Sequence, residues 1–306
     1  MATIPFTKMH GLGNDYIYVD AFQQRVADPA RLARAVSDRH TGVGSDGLIL
    51  IGPATEPGAH LRMRIFNADG SEAQMCGNGI RCVARYAVER GLSAANPLQV
   101  QTGRGTLSIA WRGGAAFEAS VQMGAPRFAC GEVPAQVPGV SASVEVLAWP
   151  LPDAFWQGCE GSREWMQACG LEGTLSLASM GNPHAVLWCR DVAVVPLERV
   201  GPFIERHAWF PERINAHFAS VESPGTIHMR TWERGSGITR ACGTGASAVG
   251  AVALREGRVH GPMQVHLPGG ALRIEWGGGD ASVVMTGPAT FVADLELAAH
   301  LAAEAG

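Results

Sequence analysis

Cys76-Gly77-Asn78-Gly79, running into Ile80-Arg81-Cys82-Val83-Ala84-Arg85-Tyr86-Ala87-Val88, returns 166 residues later as Cys242-Gly243-Thr244-Gly245 before Ala246-Ser247-Ala248-Val249-Gly250-Ala251-Val252-Ala253-Leu254. In both copies apolar residues recur at three- and four-residue spacing, the period of a helix. They are Ile80, Val83, Ala84, Ala87 and Val88 in the first, and Ala246, Val249, Gly250, Ala253 and Leu254 in the second. Each pattern stops at a glycine, Gly91 or Gly257, as the residue after a helix often is. Further out, Leu98-Gln99-Val100-Gln101-Thr102-Gly103 answers Met263-Gln264-Val265-His266-Leu267-Pro268, and the alternating Leu107, Ile109 and Trp111 answer Leu272, Ile274 and Trp276. Gly124-Ala125-Pro126 with Phe128 answers Gly287-Pro288 with Phe291, and upstream Gly13-Asn14 answers Gly181-Asn182. Anchors in one order, at nearly constant offset, mark a divergent tandem duplication.

The fold is therefore read as α+β, two pseudo-symmetric domains with short strands and glycine turns around one central helix each. A helix with alanine and glycine on most faces is one that other backbone approaches closely. The first half is expected over residues 1–128, with 288–306 returning to it, and the second over 129–287. The join is expected within Cys130 to Thr174, which is rich in Pro, Gly and Ser around Val133 to Ser143 but carries Trp149, Phe155, Trp156 and Trp165, so it packs.

Composition narrows the function. With 306 residues, 46% apolar and 17% charged, the chain can bury a sizeable core and is not a disordered type. The net charge of −4, without a basic block, argues against nucleic acid or an anionic membrane as partner. Met1 to His10 holds no long apolar run of the kind found in secretory leaders. Ala241 to Leu254 is too short to span a bilayer. Seven cysteines, an odd number without a leader, suggest reduced thiols and a cytoplasmic protein. A single lysine, Lys8, argues against pyridoxal phosphate, which needs a lysine for its Schiff base. No P-loop, dinucleotide fingerprint or zinc-type spacing is present, so neither cofactor nor metal is expected.

Each duplicated cysteine is placed at the start of a helix, where N–H groups and the helix dipole favour negative charge. That setting lowers a thiol's pKa and binds a carboxylate through backbone amides. An ordinary thiol with pKa about 8.5 is only about 3% thiolate at pH 7. Two matched thiols flanking one carboxylate suggest stereoinversion, in which one removes the α-proton and the other returns a proton to the opposite face. The competing reading is a pair of buried cysteines serving as small hydrophobes. Cys82 reads as core, and Cys130, Cys159, Cys169 and Cys189, without duplicated partners, carry no assigned role.

The motifs resemble those of diaminopimelate epimerases. Met9-His10-Gly11-Leu12-Gly13-Asn14-Asp15 is similar to the family's N-terminal signature, and Asn67-Ala68-Asp69-Gly70-Ser71-Glu72 leading to Met75-Cys76-Gly77-Asn78-Gly79 to its first catalytic motif. Gly181-Asn182-Pro183-His184 and Phe210-Pro211-Glu212-Arg213-Ile214-Asn215 match two more. Glu233-Arg234-Gly235-Ser236-Gly237 leading to Ala241-Cys242-Gly243-Thr244-Gly245 matches the second catalytic motif. The resemblance implies cofactor-independent epimerisation of LL-2,6-diaminopimelate to the meso form, for lysine and peptidoglycan precursors, by an isomerase that forms a homodimer. It implies a β-barrel-like mixed sheet around the central helix of each half. Cys76 and Cys242 would be the acid/base thiols, tuned by His184 and Glu233. Gly77, Asn78, Gly243 and Thr244 would hold the carboxylate at the reacting carbon. Asn14, Asn67, Asn182 and Asn215 would bind substrate, while Glu233 and Arg234 take the distal ammonium and carboxylate.

Three positions depart from the family pattern. Gly47 stands where Gln is common, Ile238 where Glu is frequent, and Ala293 where an aromatic residue is usual. Competing assignments are the same chemistry on proline or hydroxyproline, an isomerase of the phenazine-biosynthesis type, which the two cysteines oppose, and a non-catalytic amino-acid-binding protein.

Overall fold

A computed structural model describes residues 4–114 and 116–305. Met1 to Thr3, part of the stretch inspected for a leader, lie outside the described residues. The chain divides into two units, one running to Gln122 and resuming at Thr286, the other from Met123 to Met285.

The first unit begins with β1 (Pro5–Gly11), β2 (Asn14–Asp20), α1 (Pro29–Ser37), β3 (Gly47–Gly52), β4 (Leu61–Asn67) and β5 (Glu72–Ala73). It continues with α2 (Gly77–Glu89), β6 (Leu98–Thr102), β7 (Gly105–Arg112) and β8 (Glu118–Gln122). In the second unit β9 (Trp149–Pro150) and α3 (Ser162–Cys169) precede β10 (Thr174–Ser179), β11 (Pro183–Trp188), α4 (Leu197–Glu205), β12 (Asn215–Ser223), β13 (Thr226–Glu233) and β14 (Gly237–Ile238). Then come α5 (Gly243–Arg255), β15 (Met263–Leu267), β16 (Gly270–Glu275) and β17 (Val284–Pro288), from which the chain returns to the first unit as β18 (Thr290–Glu296) and α6 (Ala299–Ala302).

The duplication is visible strand by strand. β1–β2 is antiparallel, β2–β3 parallel, β3–β4 antiparallel and β4–β6 parallel. β10–β11, β11–β12, β12–β13 and β13–β15 repeat that sequence of directions. In the first unit α2 packs on β1 and β2 and also on β7 and β8, strands from both ends of the pairing order. In the second, α5 packs on β10, β11 and β12 and also on β15 and β16. A helix that touches both ends of a strand order lies inside a curled sheet, so each unit is a barrel-like mixed sheet around a central helix.

Both central helices start at a cysteine with extended backbone whose sulfur accepts an N–H three residues on, Cys76 from Gly79 and Cys242 from Gly245. Serine or aspartate usually takes this capping place. Gly91 and Gly257, at φ +73° and +70°, follow the helix ends in the left-handed region that favours glycine. The small residues of α5 admit close neighbours: a Cβ on Gly250 would lie 2.7 Å from Ile274 Cγ2.

The 130–174 segment is not a connection between units. Cys130, Val133, Val137, Val146, Phe155, Trp156, Trp165 and Cys169 are buried in one cluster with Leu187, Val200 and Phe218 of the second unit. The join falls earlier, after Gln122. Proline and glycine in this stretch shape a folded segment whose aromatic residues draw it inward. Among the described residues no helix is long and apolar enough to cross a membrane, and no group of three or more His, Cys, Asp or Glu could hold a metal ion.

Candidate active site

In the first unit, the Cys76 cap comes together with Asn14 at the start of β2. The thiol lies 3.5 Å from Asn14 Oδ1, which also accepts from Asn78 Nδ2 at 3.2 Å. Asn14 is held in turn by Asp46, whose Oδ2 accepts from Asn14 Nδ2 at 2.6 Å and from the Asp15 N–H at 3.1 Å. Burial, with the charge of Asp15, pushes the Asp46 carboxyl up. Beneath the turn lies the buried Arg81, donating to the Gly77 and Pro288 carbonyls and to Asn78 Oδ1, each at 3.1 Å. Asn67 closes β4, paired with Gly47, and its Nδ2 donates to Ser71 Oγ at 3.0 Å. Lys8 is engaged by Asp15 at 2.9 Å and the Gly44 carbonyl at 2.5 Å.

In the second unit, Cys242 is buried and lies 3.6 Å from Thr244 Oγ1. Asn182 Nδ2 donates to that hydroxyl at 3.4 Å, and Asn182 Oδ1 lies 2.9 Å from His184 Nε2. Behind His184 is a second fully buried histidine, His217, with 2.8 Å between Nδ1 of the first and Nε2 of the second. Glu233 reaches the Cys242 thiol and accepts a hydrogen bond from the Thr239 hydroxyl. Asn215 uses both ends of its amide locally: Nδ2 donates to the Pro183 carbonyl at 2.7 Å, and Oδ1 accepts the Arg234 N–H at 2.9 Å. The Arg234 guanidinium donates to the Glu212 carbonyl at 2.8 Å. The buried Glu205 accepts from Trp232 Nε1 at 2.7 Å and from the Gly235 N–H at 3.1 Å, anchoring both flanks of the Glu233-Arg234 pair.

The electrostatics of Cys242 differ from the expectation for a helix start. Burial pushes its thiol well above the ordinary range and the Glu233 charge adds to this, outweighing the Thr244 hydroxyl and the Gly245 N–H, which act the other way. Two bonds to a sulfur do not replace the water removed from it. Burial likewise lowers His184 far below its usual value, with His217 and Arg234 contributing, and takes His217 down to about 3.

The first unit thus gathers Cys76, Gly77, Asn78 and Asn14, and the second Cys242, Gly243, Thr244, Asn182, His184 and Glu233, with Asn215 and Arg234 adjoining. Arg81, Asp46, Glu205 and His217 are supporting residues that the sequence reading passed over. His217 was within reach: two positions beyond Asn215 on one strand, it points to the same face.

The family model for diaminopimelate epimerase matches residues 6–129 and 176–292. This chain belongs to the diaminopimelate epimerase family. Its relatives include the diaminopimelate epimerase of Acetivibrio thermocellus, 44% identical over 95% of this chain and 98% of the relative, and that of Agathobacter rectalis, 44% identical over 94% and 96%. That of Stutzerimonas stutzeri is 42% identical over 94% of this chain and 96% of its own. Among solved structures, the fold is shared with a PhzF-family phenazine biosynthesis protein of Bacillus anthracis (TM-score 0.65, 18% identity, 97% of this chain and 100% of that one). A probable proline racemase of Agrobacterium radiobacter has TM-score 0.66 and 15% identity over 97% and 93%. A diaminopimelate epimerase family member is an isomerase by class.

Proposed function

We propose that the chain converts LL-2,6-diaminopimelate to meso-diaminopimelate without a cofactor, in the supply of lysine and peptidoglycan precursors. The reading rests above all on one repeated feature, a cysteine capping the central helix of each unit with its sulfur on a first-turn N–H. Inversion at the α-carbon needs a base on one face and an acid on the other, and Cys76 and Cys242 are assigned those two jobs. The thiolate takes the α-proton and becomes a thiol. The C–H electron pair stays on the carbon and spreads into the carboxylate, whose growing charge is met by the N–H groups of Gly77, Asn78, Gly243 and Thr244. The second thiol gives up its proton to the carbon and becomes the thiolate. The two sulfurs end with exchanged states, and the substrate of the other hand resets them.

Asn14, Asn67, Asn182 and Asn215 are assigned to the substrate's polar groups, Glu233 and Arg234 to its distal ammonium and carboxylate, and His184 with Glu233 to the charge state of Cys242. The thiols call for a reducing compartment, the cytoplasm, and the active form is assigned as a homodimer.

Proton NMR of LL-diaminopimelate in D2O with dialysed, reduced protein tests the reading. Loss of the α-proton signal with growth of the meso isomer is expected. Exchange on proline or hydroxyproline alone would move the substrate, and silence on all three would leave a binding protein. Cys76→Ser and Cys242→Ser are each expected to lower turnover about 10²- to 10⁴-fold, because a hydroxyl is too weak a base at neutral pH.

A further inference from the structure

The duplication supplies an internal comparison at the two thiols. Gly79 and Gly245 occupy the same place in α2 and α5, and a Cβ on either would strike one side chain, Ile49 Cδ1 at 2.6 Å or His217 Cε1 at 2.5 Å. Strand register extends the match. Ile49 pairs with Ile65 across β3 and β4, and His217 pairs with Thr231 across β12 and β13. One strand further, Tyr16 stands two residues after Asn14, as His184 stands two after Asn182. Tyr16, Ile49 and Ile65 in one unit are therefore His184, His217 and Thr231 in the other, a polar trio where its counterpart is mostly apolar.

That trio is bonded in series toward the thiol. Thr231 Oγ1 lies 2.9 Å from His217 Nδ1, His217 Nε2 lies 2.8 Å from His184 Nδ1, and His184 Nε2 lies 2.9 Å from Asn182 Oδ1. Asn182 Nδ2 then donates to Thr244 Oγ1, beside the Cys242 sulfur. One assignment of protons satisfies every link. The amide oxygen of Asn182 can only accept, so His184 carries its proton on Nε2. Its Nδ1 then accepts from His217 Nε2–H, and His217 Nδ1 accepts the Thr231 hydroxyl proton. Thr244, receiving from Asn182, is left with its own proton for the sulfur. Burial keeps both rings neutral, as two ring nitrogens sharing one proton require.

We propose that His217 and Thr231 are positioning residues that set the direction of this chain of hydrogen bonds, so that Thr244 offers its hydroxyl proton to Cys242 and steadies the thiolate form in which that residue takes a proton from substrate. The proposal rests on the two-thiol reading and adds to it a device present at one thiol only. Thr231 starts the chain from a hydroxyl, His217 and His184 transmit its sense, and Asn182 turns it onto the cap of α5.

Long-range proton–nitrogen NMR on ¹⁵N-labelled protein reads the direction without any turnover. Both rings are expected to be neutral at pH 7 with their one proton on Nε2, and a proton on Nδ1 of either ring would overturn the proposal. Kinetics give the second test. His217→Ile, which installs the residue found at the matching place in the first unit, is expected to lower kcat about five- to tenfold with KM within about twofold. His217→Gln, whose amide can accept from Thr231 and donate to His184, is expected to stay within about twofold of the unaltered protein. An unaffected kcat in His217→Ile, or a Gln variant as slow as the Ile one, would overturn it. Turnover surviving Cys242→Ala would instead sink the two-thiol reading, and the ring protonation measured by NMR would stand apart from that result.

Discussion

Burial and the facing carboxylate of Glu233 decide the protonation of Cys242, because removing water from a thiolate costs more than one N–H and one hydroxyl return. Both causes favour the neutral thiol of Cys242. Peptide mapping after brief iodoacetamide treatment at pH 7 is expected to find Cys76, the more exposed thiol, labelled ahead of Cys242. Glu233→Gln takes away the second-largest cause of the raised pKa, so it should speed alkylation of Cys242 several-fold at pH 8. An unchanged rate would show that burial alone sets the value. The pairing of cysteine with glycine, and the asparagines around it, were legible in the residues themselves. The height of the Cys242 pKa was not, since it depends on the depth of the sulfur and on a carboxylate nine positions away.

At the scale of elements, α5 is a helix of small residues under a curled sheet, and packing there overrides intrinsic preference. Alanine is favoured over glycine inside a helix by about 1 kcal/mol. At Gly250 the added methyl would meet Ile274 Cγ2 at 2.7 Å and Met263 Sδ at 3.4 Å, and overpacking of a filled core costs about 1–3 kcal/mol. Gly250→Ala is therefore expected to lower stability by up to about 2 kcal/mol in urea unfolding, the opposite sign from helix propensity alone. The two central helices were readable because cysteine, glycine and apolar spacing coincide at both. The nine-residue helices α1 and α4 were passed over for different reasons. α1 carries a plain signal, Asp28 capping the Arg31 N–H ahead of Pro29, and could have been found. α4 has no side-chain cap and holds Pro202 inside it, so its sequence reads as a loop until Leu197, Val200 and Ile204 are seen in the core.

For the whole molecule, the two buried histidines of the second unit make stability depend on acid. In the unfolded chain each imidazole titrates near 6.5, whereas His217 folds with a pKa of about 3 and His184 with one far below its usual value. Below pH about 6.5 the unfolded chain binds protons that the folded chain refuses, so the stability present above that pH is lost as pH falls toward 3. Each histidine contributes a slope of up to about 1.4 kcal/mol per pH unit. Urea midpoints measured from pH 7.5 to 4.5 should fall accordingly, and His217→Ile should flatten the curve. The duplication that organises all of this was legible from its matched anchors. The place of the 130–174 segment was not, because proline and glycine advertise a linker while the tryptophans that bury it need partners distant in sequence. The routing of the chain also has a consequence in time. β1 pairs along its length with β18, and the Ile4 carbonyl accepts the Leu297 N–H. One of the two strands that flank β1 is thus synthesised only after residues 123–285, which emerge as an uninterrupted unit. On nascent chains stalled with residue 285 just outside the exit tunnel, a protease should spare the Cys242 half and still digest the Cys76 half. The half synthesised second is the half finished first.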